Sequence, residues 1–306
     1  MEDKREEIPK KAIEIIQNVF EVNDYDITDI VTIKLGMTNH SFLFRCKGNK
    51  YIIRVPGEGT EQLIRRSEEE AVYCAIAGKG ICDDVVYINA GDGYKITRFI
   101  ENVRVCNPLQ QQDVRLCIKK LKEFHNMRLW VEHEFDLYGQ IGYYEQLRQE
   151  ESRYSDYEMT KNNVWELQPF IERMIAQKSL SHIDAVPDNF LFAPPNEKIR
   201  LQLIDWEYAG MQDPHIDIAM FCIYAGYSRK QIDDVIDWYF EEKRSYRSEK
   251  IKCYCYIAAC GLLWSNWCEY KKKLGISFGN YARRQYQYAK EYSVIAHRLI
   301  KELEGV

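Results

Sequence analysis

The hydrophobic pattern changes its period partway along the chain, and that change restricts the fold more than any other feature. From Asp26 to about residue 100 apolar residues alternate with polar ones: DITDIVTIKLG, SFLFRCKG and KYIIRVPG follow one another, and VVYINA pairs with YKITRFI. A period of two belongs to strands with one buried face. The joints carry Gly-Met-Thr-Asn, Gly-Asn and Gly91-Asp92-Gly93, which are turn-forming, so the spacing predicts an antiparallel meander. Helical patterns are expected over 8–22 and 67–77. From Pro108 onward the period becomes helical, over 108–126, 142–151, 164–177, 214–225, 228–241, 249–273 and 281–303. One strand pair, NFLF and RLQLIDW about Pro194-Pro195-Asn196, interrupts these helices. The fold class is therefore α+β, with a small β-rich N-terminal lobe, a larger helical C-terminal lobe and a cleft between them as the default ligand site.

Composition removes several function classes. Lys+Arg 42 against Asp+Glu 47 leaves a net charge of -5, without the basic excess that polyphosphate backbones demand, so no nucleic-acid partner is expected. The opening MEDKREEIPK alternates charge and is not followed by the apolar core of a secretory signal, which points to a cytoplasmic protein. The longest apolar stretch, Tyr254 to Trp264, is far below the roughly 18–20 residues that span a bilayer, so it reads as a buried helix and no membrane insertion is expected. Ten cysteines are scattered without a C-x-x-C pair, as for reduced, mostly buried thiols.

The chemistry concentrates in SHIDAVPDNFLF and LQLIDWEYAG. His182, Asp184 and Asn189 match H-x-D-x-x-x-x-N, the catalytic-loop pattern of protein kinases, and Asp205 follows about twenty residues later at a strand end. In that template Asp184 orients a substrate hydroxyl and accepts its proton. Asn189 and Asp205 offer hard oxygen ligands to Mg²⁺, which bridges the phosphates of ATP. Neither a G-x-G-x-x-G loop nor an A-P-E segment is present, so a protein substrate is not expected.

These segments, with GMTNHSFLF, YIIRVPG, LLWSNWCEY and FGNYARRQY, resemble the choline/ethanolamine kinase family of the aminoglycoside-phosphotransferase superfamily, from about Asp26 to about Arg298. The resemblance implies a bilobal protein-kinase-like fold, with a nucleotide-binding lobe over 1–100 and a catalytic and substrate-binding lobe over 101–306. It implies ATP and Mg²⁺ as cofactors and choline, a cationic alcohol, as substrate. Asp184 would be the base, Asn189 and Asp205 the metal ligands, and Glu207 would order the metal site. Gly36, Thr38, Asn39 and Ser41 would form the loop over the phosphates, with Arg54 on phosphate. Glu69 would pair with Arg54, its neighbours Glu68 and Glu70 lying one step away. Phe99, Ile100 and Glu101, within RFIEN, would form the hinge that meets adenine, and Asp217 would brace the catalytic loop. Trp264, Trp267 and Tyr281 align with an aromatic box for a quaternary ammonium. Tyr224 stands where many relatives carry Glu, and either removes a carboxylate from the box or joins it.

Other readings remain open from the residues. Trp264, Trp267 and Tyr270 recur at helical spacing, the ordinary signature of core. His125 reads as a packed, hydrogen-bonded histidine at a helix end. The triplet His-Ile-Asp occurs at 182–184 and again at 215–217, so a divalent-metal hydrolase is a competing class, as is a kinase-like protein that only binds. Among kinases the competing substrates are ethanolamine, thiamine and aminoglycosides.

Overall fold

The computed structural model describes residues 8–35, 39–57, 64–82, 84–175, 177–240 and 246–305. The chain divides into two compact units, Met1–Val105 with Leu191–Ala209, and Cys106–Phe190 with Gly210–Val306. This differs from a single break at residue 100. The hairpin carrying Asp205 and Glu207 belongs with the β-rich unit, because its strands pair with the end of that unit's chain.

In the first unit the helix α1 (Lys10–Phe20) precedes strands β1 (Thr28–Leu35), β2 (Asn39–Cys46) and β3 (Asn49–Pro56). Lys47 and Gly48 turn β2 into β3 with φ of 49° and 77°, the left-handed pair that matches strand twist in a two-residue hairpin. After α2 (Arg66–Ile76) come β4 (Val85–Ile88) and β5 (Lys95–Arg98), giving an antiparallel sheet in the order β1-β2-β3-β5-β4. Alternation along β2, β3 and β5 sends Phe42, Phe44, Ile53 and Ile96 to one face, where they bury Ala12, Ile15 and Ile16 of α1. Charged residues on the opposite face supply part of the site. A smaller sheet joins β6 (Arg104–Val105), β8 (Phe190–Phe192) and β9 (Leu201–Leu203) in the order β6-β8-β9.

The second unit is helical: α3 (Gln111–Asn126), α4 (Leu137–Arg148), α5 (Tyr157–Trp165), α6 (Gln168–Met174), α7 (His215–Ala225), α8 (Arg229–Phe240), α9 (Tyr246–Lys273) and α10 (Asn280–Glu304). Its two-stranded ladder pairs β7 (Ser179–Ser181) with β10 (Gly210–Gln212). The helix expected over 164–177 is two helices, since Pro169 in the first turn of α6 has no N–H to continue α5. The helix expected to begin at 142 begins at Leu137, capped by Asp136, whose carboxylate accepts from the Gly139 amide at 2.9 Å. Every residue of α9 from Ile251 to Lys271 is buried, so 254–264 lies in a buried helix. Gly261 allows α10 to approach: a Cβ there would stand 2.7 Å from the Gln285 carbonyl oxygen. Among the described residues no helix is long and apolar enough to cross a membrane. Nine of the ten cysteines are buried and Cys74 is exposed.

Candidate functional site

Gly36 and Thr38, expected over the phosphates, lie outside the described residues, and Asn39 opens β2. Ser41, Arg54 and Lys95 are successive cross-strand partners on β2, β3 and β5. Pairing sets them in one row, and α2 brings Glu69 against it. Glu69, not Glu68 or Glu70, takes Arg54: Nη1 donates to Oε1 and Nη2 to Oε2 at 2.7 Å. Arg66 Nη1 donates to the same carboxylate at 2.9 Å, and Lys95 Nζ lies 3.8 Å from it. Burial pushes the Glu69 carboxyl up, but its bonds to Arg54 and the nearby Lys95 and Arg66 overcome that and bring it down to about 2. Lys95 Nζ also donates to the Tyr73 hydroxyl.

The network continues to the segment after β9, residues 204–209. Asn39 Nδ2 donates to Glu207 Oε2 at 2.7 Å, while its Oδ1 accepts from Arg66 at 2.8 Å. Glu207 Oε2 stands 3.6 Å from Arg66 and 3.8 Å from Arg54. Burial first, and then the charge of Asp205, pushes the Glu207 carboxyl up to about 7. Asp205 holds a φ of 71°, a conformation that costs of order 1–3 kcal/mol outside glycine and collects at functional positions. At the expected hinge the Phe99 amide donates to the Lys50 carbonyl at 3.0 Å and Glu101 pairs with Lys50 at 2.6 Å; Ile100 is buried. The Phe99 N–H is thus engaged by β3.

In the second unit the loop after β7 carries His182, Ile183 and Asp184. Asp217, from the first turn of α7, accepts the His182 amide on Oδ2 at 2.8 Å and the Ile183 amide on Oδ1 at 2.7 Å. His125 Nε2 lies 2.9 Å from the same Oδ2 and its Nδ1 2.7 Å from the Tyr239 hydroxyl, so this histidine is a packed hydrogen-bonding group. Ile183 has a φ of 70°, unusual for a β-branched residue, and its amide is held there by Asp217. Asp184 follows, half-buried. Asn189 Nδ2 donates to the Asp184 carbonyl at 2.9 Å and to its carboxylate at 3.3 Å, which leaves the Asn189 side-chain oxygen as the acceptor for a hard cation. Asn189 in this unit and Asp205 in the other each carry a hard oxygen of the kind Mg²⁺ takes, an ion that uses few protein ligands and completes its shell with water and phosphate. Among the described residues no three His, Cys, Asp or Glu side chains converge on a metal position. The second His-Ile-Asp triplet is occupied differently: His215 pairs with Asp213 and, at 2.8 Å, with Glu249, and Lys252 Nζ lies 2.8 Å from Asp213.

The expected aromatic residues form one run within this unit. Ring centroids of Trp264 and Trp267 are 5.2 Å apart, Trp267 and Phe278 4.9 Å, Phe278 and Tyr281 6.3 Å, and Tyr281 and Tyr224 5.9 Å. Trp264 and Trp267 are also buried in α9, so core packing and ring presentation fall on the same residues. Lys271 Nζ lies 5.6 Å from the Trp267 ring centre. The Tyr224 hydroxyl donates to Asp188 at 2.6 Å. Tyr281 is raised well above its ordinary value by burial first, with Cys268 and the Asp184 charge adding to it.

Arg66, Tyr73, Lys95 and Phe278 were not expected from the sequence. Arg66 precedes Glu69 by three residues, a same-face spacing on a helix. Lys95 stands out as a cation inside a strand that is otherwise buried, and Phe278 precedes Tyr281 by one helical turn.

Known proteins are similar to this chain in sequence and fold. The sequence profile of the choline/ethanolamine kinase family matches residues 30–258. Protein LicA of Haemophilus influenzae is 27% identical over 266 residues, covering 82% of this chain and 76% of its own. The crystal structure of choline kinase LicA from Streptococcus pneumoniae matches with a TM-score of 0.77 at 25% identity, covering 92% of this chain and 98% of that one. A crystal structure of LicA in complex with AMP matches with a TM-score of 0.76 at 25% identity, covering 94% and 100%. The fold is kinase-like, as expected from the resemblance.

Proposed function

The chain belongs to the choline/ethanolamine kinase family, and from that premise we propose that it transfers the γ-phosphate of ATP to the hydroxyl of choline, giving phosphocholine and ADP. The observation that carries this reading is the braced loop of Asp184 beside the aromatic run in one unit. The charge of Asp184 is felt by both Tyr281 and Tyr224. A quaternary ammonium has no N–H, so ring faces and carboxylates are what can recognise it. Asp188, bonded to Tyr224, supplies a carboxylate at the place where the helix residue is no longer Glu.

In the proposed reaction Asp184 orients the choline hydroxyl and accepts its proton as the oxygen attacks the γ-phosphorus; the bond to the bridging oxygen breaks and ADP leaves with the electron pair. Asn189 and Asp205 would hold Mg²⁺, which when bound neutralises charge on the phosphates. Glu207, tied to Asn39, Arg54 and Arg66, would order the Asp205 segment. Arg54, aligned by Glu69, would meet phosphate together with the loop of Gly36, Thr38, Asn39 and Ser41. The backbone of Phe99, Ile100 and Glu101 would receive adenine, with the Phe99 N–H excluded by its bond to β3.

ADP release should be measured with Mg-ATP and each of choline, ethanolamine, thiamine and an aminoglycoside, for the wild type and Asp184→Asn. Choline should be turned over with the highest kcat/KM, and Asp184→Asn should lower kcat by roughly 10²–10⁴-fold. Turnover of another alcohol without turnover of choline would overturn the substrate. Near-normal kcat in Asp184→Asn would remove the base.

A further inference from the structure

The first unit contains a cavity of about 580 Å³ whose lining meets the site described above only at Tyr73, the partner of Lys95, and at Arg98, the first residue of RFIEN. It lies among the C-terminal end of α2 with the loop that follows, the start of β4, the end of β5 and the β8–β9 hairpin. Its volume is that of a small-molecule site, roughly 300–1,000 Å³. Ile76, Val85 and Ile199 provide apolar wall. Arg98, also on the wall, is paired with Glu197 and lies 3.5 Å from Asp84, and Lys79 and Lys198 are the other cations among the described lining residues.

One wall residue is out of place for a passive surface. Gln202 is only 3% exposed, and among the described residues its Oε1 has no hydrogen-bond partner. The backbone pins it: the next residue, Leu203, donates its amide to the Ile81 carbonyl at 2.9 Å, fixing β9 against the loop after α2. A buried carbonyl left unpaired is destabilising, and a leucine of similar size would avoid that cost. A glutamine there is explained by a ligand that brings a donor to it.

We propose that this cavity is a binding site for an anionic small molecule with an apolar body, which donates an N–H or O–H to Gln202 Oε1 and sets its anionic group toward Lys79 and Lys198. The site stands on geometry independent of the kinase reading, so either can fail without the other.

The probe is 1-anilinonaphthalene-8-sulfonate, which combines a ring body, one N–H and a sulfonate, titrated against the full chain by fluorescence. One molecule should bind per chain. Gln202→Leu should weaken it by about tenfold or more, equivalent to ~1.4 kcal/mol. The double variant Lys79→Glu, Lys198→Glu should do the same, and because both lysines are exposed it tests the site even if Gln202→Leu does not fold. Excess ADP should leave the bound probe in place. Absence of probe binding to the wild type, affinity within about twofold of wild type in the folded variants, or one-for-one displacement by ADP would each overturn the proposal.

Discussion

Asp217→Asn tests the loop that holds the proposed base, and its consequence can be worked from three contacts. The carboxylate accepts on both oxygens, from the amides of His182 and Ile183, and Oδ2 also meets His125. An asparagine presents one oxygen and one NH₂, so in either orientation an amide donor of the loop faces another donor. The loss is one hydrogen bond to a charged group, ~1.5–3 kcal/mol, together with a buried N–H left without an acceptor, ~1–3 kcal/mol. Destabilisation of about 3–5 kcal/mol is expected, within the margin of a protein stable by roughly 5–15 kcal/mol. A second effect falls on activity. The Ile183 φ of 70° is a strained conformation, and without Asp217 it relaxes and rotates the peptide leading into Asp184. A displacement of about 1 Å at a reacting group costs roughly 10²-fold in rate. Urea unfolding gives the first quantity, and kcat measured below the unfolding transition gives the second. A stability change under about 1 kcal/mol, or a folded variant with kcat within about threefold of wild type, would refute the brace.

If Asp205 and Asn189 are metal ligands, Asp205→Ala should be nearly inactive and Asn189→Ala should need more Mg²⁺ to reach its maximal rate; an unaltered magnesium titration in both would count against them. Glu69→Gln should destabilise by ~3–5 kcal/mol, because Arg54, Arg66 and Lys95 lose their shared anion, whereas Glu70→Gln should stay within about 0.5 kcal/mol of wild type. The Glu69 carboxyl lies at about 2 in the folded chain, against an ordinary 4.5, so its stabilisation is full above pH 4.5 and is lost as pH falls toward 2. That acid slope should shrink in Glu69→Gln, which pH-dependent denaturation can read. Trp264→Ala or Trp267→Ala should raise the KM for choline roughly two- to thirtyfold and leave that for ATP nearly unchanged. If these rings are only core, the same changes should cost ~3–5 kcal/mol in stability with no selective change in KM, so the thermal midpoint must be measured beside kinetics.

The β-rich unit was legible because its strands alternate cleanly and its turns carry glycine or asparagine: β2 and β3 occur where SFLFRCKG and KYIIRVPG predict them. The missing helix α5 shows the opposite case. YEMTKNNVW has little apolar contrast between its faces and no proline or glycine within it to mark an end, so its helical state is set by what packs on Tyr157, Thr160 and Val164. The short strands β6, β7 and β10, of two or three residues each, are too brief for any period to register, and only their partners define them.

The site was legible to the extent that its residues are close in sequence. Asp184 and Asn189 sit five residues apart, and their contact follows from one turn of chain. The choice among three consecutive glutamates did not follow from sequence alone, because only the packing of α2 decides which carboxylate enters the sheet; burial singles out Glu69. Lys95 is the more instructive omission. Period-2 alternation assigns Ile96 to the apolar face and so puts Lys95 on the face of Arg54 across the ladder, and a cation on a buried face requires an anion. Reading the polar face of a buried strand as carefully as its apolar face would have placed Lys95 beside Arg54, and the shared demand of two cations for a carboxylate would have pointed to the acidic helix that follows β3.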